Sequence, residues 1–376
     1  MPQTYATMAG EAFAKQLLRN YIATSCAREV TNREYEGELK RVGDTVHLPN
    51  IQVGDWTQAS GDLAEFLSWN SLNEQPSTMT ADQYYQLQFA IGDYARVKSW
   101  IKNPESSALA DAGRKLQVMV DKSVFGLYDD AASGNWIGTS YTTGTVAVAA
   151  TTGAVTGTGT TFTADMVGKP FKAAGQTKWY RVKTYTSATS ITIEDDLDDV
   201  ASAYTGGAIT AGATYEIQAN TPVTVTSNGA GGTMAIWDLL MQVKTVFDVN
   251  NIPQTDRAIV LPPALANKLT KAEEIDRSRL SVDVIDRLKL KGYIGEYLGL
   301  TIYSSNNLTQ DGSGNFYALA AHKGWCTMGM ALNESRVCEI EKGMGYGYKS
   351  LALWGRKVPD VRRTSGICLY LTVGNG

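Results

Sequence analysis

Only two histidines occur in the 376 residues, His47 and His322, and neither belongs to an HxxxH or HExxH spacing. Each lies in or beside a strand-like run, so structural imidazoles are expected there rather than metal ligands. The four cysteines, Cys26, Cys326, Cys338 and Cys368, are widely scattered and form no CxxC pair. They read as plain thiols, not as a zinc or redox site. No GxSxG elbow and no GxxxxGK[ST] phosphate loop occurs. Gly343, Gly345 and Gly347 in GMGYGY resemble such a loop only superficially, because strand-like sequence follows where a helix is required. The acidic run Glu194, Asp195, Asp196, Asp198 and Asp199 lacks the turn glycine of a calcium loop and is expected as a solvated turn. The sequons Asn307–Thr309 and Asn333–Ser335 mean little without secretion. Nothing combines a nucleophile, a base and an oxyanion donor. No catalytic, cofactor or metal residue is assigned, and this points to a structural protein, not an enzyme.

The composition agrees with that direction. A chain 43% hydrophobic and 19% charged has enough apolar residues for two or three compact units. A formal charge of −4 argues against a general nucleic-acid binder, which carries a basic excess. No apolar run reaches the ~18 residues of a membrane span. The opening MPQTYATMAGEAF lacks the basic and apolar regions of a signal peptide, so synthesis in a cytosol is expected.

The elements around these residues follow from periodicity. In Asn103–Tyr128, the residues Leu109, Ala112, Leu116, Met119, Val120, Ser123, Val124 and Leu127 recur at three- and four-residue steps, which predicts a long helix. Asn103 suits its N-cap and Pro104 its first turn, and Arg114, Lys115, Asp121 and Lys122 are left for other faces. Phe13, Leu17, Tyr21 and Ile22 form a narrow stripe on a short N-terminal helix. Val42, Val46 and Leu48, and then Tyr85, Leu87, Phe89 and Ile91, follow the period of half-buried strands. Between them, Gly54–Asp82 contains no Lys or Arg. Asp55, Asp62, Glu65, Glu74 and Asp82 make it acidic, while Trp56, Phe66, Leu67, Trp69 and Leu72 make it apolar. A two-stranded ribbon cannot bury such side chains on itself. It either folds back on its own core or lies on another subunit, and the latter is the preferred reading.

From Tyr141 to Ala219 the texture changes to Thr, Gly, Ala and Ser, with strand-like TVAVAA, WYRVKTY, ITIED and TYEIQ between Gly turns. This pattern predicts a small all-β module inserted between two halves of another domain. Residues 233–249 predict an amphipathic helix capped by Thr233, with Ile236, Leu239, Leu240, Val243, Val246 and Phe247 on one face. Ala258–Leu261 reads as a buried strand stopped by Pro262–Pro263. Strands follow in GYIGEYLGLTIYSSN and, from Phe316 to Val373, in FYALAAH, WCTMGMAL, RVCEIE, YKSLALWG and ICLYLTV. The class is α+β.

This order of parts resembles the major capsid proteins of tailed bacteriophages with the Hong-Kong-97 fold, in the form with an inserted β domain. The stretches Asp256–Leu269, Gly292–Asn306 and VTGTGTTFTADMVGKPF carry the likeness most closely. The resemblance implies an N-terminal arm (1–32), an extended loop with flanking strands (33–100) and the spine helix of a peripheral domain (101–140). It further implies an inserted β domain (141–219), an apical domain (220–330) and completing C-terminal strands (331–376). The implied protein builds an icosahedral shell from pentamers and hexamers of itself around double-stranded DNA, as a virion component assembled in the host cytoplasm. It needs no cofactor, touches packaged DNA non-specifically and has no membrane partner. The implied partners are a separate scaffolding protein, a portal protein and an optional decoration protein. Some relatives cross-link through an extended-loop Lys, which Gly54–Asp82 lacks. Some carry a long cleavable N-terminal segment, and no large cleavage is expected here. Subunit contacts are expected from Trp56, Asp62, Glu65, Phe66, Trp69 and Glu74 on the ribbon, meeting Arg356, Lys357, Arg362 and Arg363. Alternatives are a phage tail or adaptor component, a non-viral shell compartment built on the same fold, and a carbohydrate-binding surface protein using Trp179, Tyr180 and Tyr185.

Overall fold

The computed structural model describes residues 25–39, 41, 43–48, 51–52, 73–74, 77–92, 104–195, 203–271, 293–339 and 344–374. The N-terminal stripe, the ribbon between 53 and 72 and the charged stretch 272–292 lie outside them. The chain divides into two compact units. One takes Met1–Ala14, Arg33–Ser99 and Cys326–Val361, and the other takes Lys15–Asn32, Trp100–Trp325 and Arg362–Gly376. The described α-helices are α1 (Ala27–Val30), α2 (Pro104–Phe125), α3 (Ile236–Val249) and α4 (Pro263–Lys271).

In the second unit, α2 runs 22 residues, or ~33 Å at the usual helical rise. It buries Leu109, Ala112, Leu116, Val120 and Val124, the stripe that the three- and four-residue spacing demands. Arg114 and Lys115 remain exposed and pair with Asp111 at 2.9 and 2.7 Å. Asp121 departs from the expectation of an outer face, for it is fully buried. Its carboxylate accepts from Ser25 Oγ (2.9 Å), Ala27 N (3.1 Å), Gln117 Nε2 (2.9 Å) and Asn307 Nδ2 (3.1 Å). Those donors supply the partners without which burial of a charge is prohibitive. Burial still pushes the Asp121 carboxyl up, and the donors oppose it only in part.

A nine-stranded mixed sheet forms the centre of this unit, with Gly366–Val373 and Phe316–His322 antiparallel at its middle. Arg257–Leu261 is buried along its whole length and lies parallel to Leu300–Ser304, which accounts for its unbroken apolar run. The amphipathic helix appears as α3, with Ile236, Leu239, Leu240, Val243 and Phe247 buried. Its N-cap is Ala235, not Thr233. The Thr233 hydroxyl is instead engaged with the Thr226 hydroxyl at 2.7 Å.

The Thr/Gly-rich block forms an eight-stranded antiparallel sheet between Thr139 and Thr221. It has its own core of Val146, Val155, Phe162, Phe171, Val182, Ile191, Ile193 and Ile217, among others. Alternation places these residues inward and leaves Thr156, Thr158 and Thr184 exposed. At Gly144 the backbone is left-handed (φ 84°), and a Cβ would lie 2.6 Å from the Thr158 carbonyl oxygen, so glycine is required there.

In the first unit, WCTMGMAL and RVCEIE fuse into one strand, Thr327–Glu339, with a register shift between Leu332 and Glu334. It forms a hairpin with Gly345–Lys357, whose other side pairs with Gln83–Gly92 in a three-stranded sheet. Gly345 and Gly347 therefore belong to a strand, opposite Gly92 and Ala90. A small core of Leu39, Val46, Leu48, Met79, Ala81 and Leu353 lies under one end of this sheet.

Candidate assembly surface

The cations expected to receive the acidic ribbon are divided between the two units. Arg356 and Lys357 end the Gly345–Lys357 strand, opposite Met328 and Thr327, and both are half-buried. Arg362 and Arg363 lie on a 3-10 turn, Asp360–Ser365, and belong to the other unit. Arg362 is exposed, with Nη1 donating to the Gly324 carbonyl at 3.1 Å. Arg363 is buried, and its Nε donates to the Asp130 carbonyl at 3.0 Å. This corrects its place among exposed docking charges: Arg363 holds the chain's own backbone. Trp56, Asp62, Glu65, Phe66 and Trp69 lie outside the described residues. Glu74 sits on a two-residue strand opposite Ile51.

The three-stranded sheet of the first unit has two unlike faces. On one, Tyr85 stacks on Trp354 at 5.0 Å and Phe89 on Tyr348 at 4.9 Å, with Leu87 and Ile91 alongside. The opposite face carries exposed Gln86, Gln88, Arg336 and Lys349. Tyr84 and Tyr85, 60% and 43% exposed, stand at the start of Gln83–Gly92, which lies at the edge of this sheet.

In the second unit, two cations of the Thr/Gly-rich block bond backbone carbonyls and lie over rings of the nine-stranded sheet. Arg181 Nη2 donates to the carbonyls of Asp129 and Ala131, and its guanidinium lies over the Trp136 ring at 5.5 Å. Lys169 Nζ donates to the Asn220 carbonyl at 2.7 Å and lies 5.1 Å from the Tyr370 ring centre. Burial pulls the Lys169 ammonium down to about 8. Neither role was visible in the sequence, because no short spacing links a cation to a carbonyl fifty residues away.

Two of the residues first inspected for chemistry make local structural bonds. His322 Nδ1 accepts from the Gly324 N–H at 3.1 Å, and burial lowers its pKa. Asp195 is buried rather than part of a solvated turn. It pairs with Lys178 at 2.8 Å and accepts from the Thr205 hydroxyl at 2.6 Å. Burial raises its carboxyl, but these bonds outweigh it and hold the pKa below the usual range. Cys26, Cys326 and Cys368 are buried thiols and Cys338 is exposed. Among the described residues, no group of three or more His, Cys, Asp or Glu is placed to hold a metal ion. An open groove of about 1070 Å³ runs along α3, lined by Val223, Met234, Asp238, Met241 and Thr245 among others.

The described elements define an α+β protein of broad sheets and one long helix. No family model matches the sequence, and no curated relative matches it. Solved structures do match. One from Mycobacterium phage Che8 superposes with a TM-score of 0.52 at 16% identity, covering 92% of this chain and 91% of that chain. The capsid of Ralstonia phage GP4 gives a TM-score of 0.51 at 11% identity, covering 94% and 93%. The chain has the Hong-Kong-97 capsid fold.

Proposed function

We propose that the chain is the major capsid protein of a tailed phage, closing through pentamers and hexamers into an icosahedral shell around double-stranded DNA. The observation that supports this best is a fold shared along nearly the full length of both chains with the capsid of Ralstonia phage GP4. A structural role also fits a sequence in which no nucleophile, base and oxyanion donor come together.

Shell closure on this reading rests on heterologous contacts, in which one patch meets a different patch on the next copy. Trp56, Phe66 and Trp69 contribute apolar area at ~25 cal/mol per Å² removed from water. Asp62, Glu65 and Glu74 meet Arg356, Lys357 and Arg362 of a neighbour. Each exposed pair contributes only ~0–1 kcal/mol, but repetition around a shell sets register and salt sensitivity. With no Lys in Gly54–Asp82, the contact is non-covalent. Residues 141–219 act as an inserted domain, braced by Arg181 and Lys169. A scaffolding protein and a portal protein, with a decoration protein as an optional addition, complete the particle, which assembles in the host cytoplasm. A slightly acidic coat confines DNA without gripping it.

Negative-stain electron microscopy of the purified, overexpressed chain, with and without a candidate scaffold, tests this. Shells or spirals are expected. Dispersed monomers at high concentration under both conditions overturn the proposal.

A further inference from the structure

The two outer edges of the three-stranded sheet are built differently. The Thr327–Glu339 edge carries Arg336 and Glu339 and a register shift between Leu332 and Glu334. Charges and bulges are the ordinary guards of an edge strand. The other edge, Gln83–Gly92, is ten residues of QYYQLQFAIG with no charge, no proline and no shift in its pairing to Gly345–Lys357. Among the described residues no further strand pairs with it. Its central five residues, Tyr85–Phe89, are also nearly symmetric about Leu87. An aromatic and a glutamine flank that residue on each side, Tyr85–Gln86 and Gln88–Phe89.

We infer that Gln83–Gly92 is a self-pairing edge, which joins antiparallel to the same strand of a second copy about a two-fold axis at Leu87. This rests on the shell-protein reading for why copies associate, and it adds which surface meets which. The register follows from the symmetry of the sequence. Leu87 meets Leu87 of the partner subunit, and each Tyr85 faces Phe89 of the partner subunit. Each Gln86 faces Gln88 of the partner subunit on the polar side. Residues directly opposite share a face, so the two apolar faces become continuous. The existing stacks of Tyr85 on Trp354 and Phe89 on Tyr348 would extend into four-ring rows across a six-stranded sheet. No like charges meet, because the strand has none. An isologous contact of this kind closes on itself and complements the heterologous contacts of rings.

The test uses the full chain with Cys338→Ser, which removes the exposed native thiol, and adds Leu87→Cys. Opposite residues in an antiparallel pair lie within disulfide reach. Oxidation is expected to convert most of the protein to covalent dimer, reversed by reductant. Gln83→Cys in the same background is the control. In this register its two copies are ~27 Å apart along the strand, so no dimer is expected. Leu87→Lys should lower the yield of particles several-fold without loss of soluble chain. Particles that form normally but give no Leu87→Cys dimer overturn the self-pairing and leave the shell reading intact. Equal cross-linking at positions 83 and 87 overturns the register. Dimers without particles uphold the pairing and count against the shell.

Discussion

Asp121→Ala is the perturbation whose cost follows most directly from geometry. The substitution strands four donors at once: Ser25 Oγ, the Ala27 N–H, Gln117 Nε2 and Asn307 Nδ2. Gln117 and Asn307 are side chains on half-buried residues and can turn toward water. Ser25 and Ala27 are buried, and the Ala27 N–H is fixed by the backbone. Two stranded donors at ~1–3 kcal/mol each give ~2–6 kcal/mol. Relief of a desolvated charge offsets part of that, leaving ~3 kcal/mol of destabilisation. Asp121→Asn keeps an oxygen for Ser25 and Ala27, while the amides of Gln117 and Asn307 flip to offer theirs, so ~1 kcal/mol is expected. Urea unfolding followed by tryptophan fluorescence measures the order. Hydrogen exchange of residues 25–31 measures the place, since α1 is held on α2 by this carboxylate. An Ala variant within ~1 kcal/mol of the parent, with unchanged exchange at 25–31, would refute the reasoning.

Four further outcomes are expected. Phe171→Ala, at the centre of the eight-stranded sheet's core, should cost ~3–5 kcal/mol by calorimetry. Arg363→Glu should cost ~3 kcal/mol or more, because it removes a buried donor and buries an unpaired charge. Exposed Arg362→Glu should stay within ~0.5 kcal/mol of the parent yet give fewer particles in micrographs. Burial pushes the Asp311 carboxyl up, but Tyr370, Asn315 and the Ser313 N–H outweigh it and hold the pKa at about 2. Because this folded value lies below the unfolded one of ~3.9, its stabilisation is present above pH ~4 and lost as pH falls toward 2. The melting temperature of Asp311→Asn should therefore fall less over that interval than that of the parent.

The sequence by itself determined what depends on neighbours a few residues away. Leu109 to Val124 on α2, Ile236 to Phe247 on α3, the buried strand ending at Leu261 and the alternating strands of the Thr/Gly block all follow from side-chain period and turn glycines. These are local sterics and amphipathicity, so they are written in short windows. The mixed α+β class was legible for the same reason, and so was the likeness to the capsid fold. Only the tertiary structure decided which charges are load-carrying inside. Asp121 looked like a surface residue, yet it is fully buried among four donors from three separate segments. Arg363 looked like a docking charge, yet it holds the Asp130 carbonyl. Thr233 looked like a cap, yet its hydroxyl is taken by Thr226. Strand partnership was equally hidden: Gln83–Gly92 pairs with residues more than 250 positions later. A polar group's energy depends on what surrounds it after the chain has closed, and a one-dimensional pattern does not carry that information.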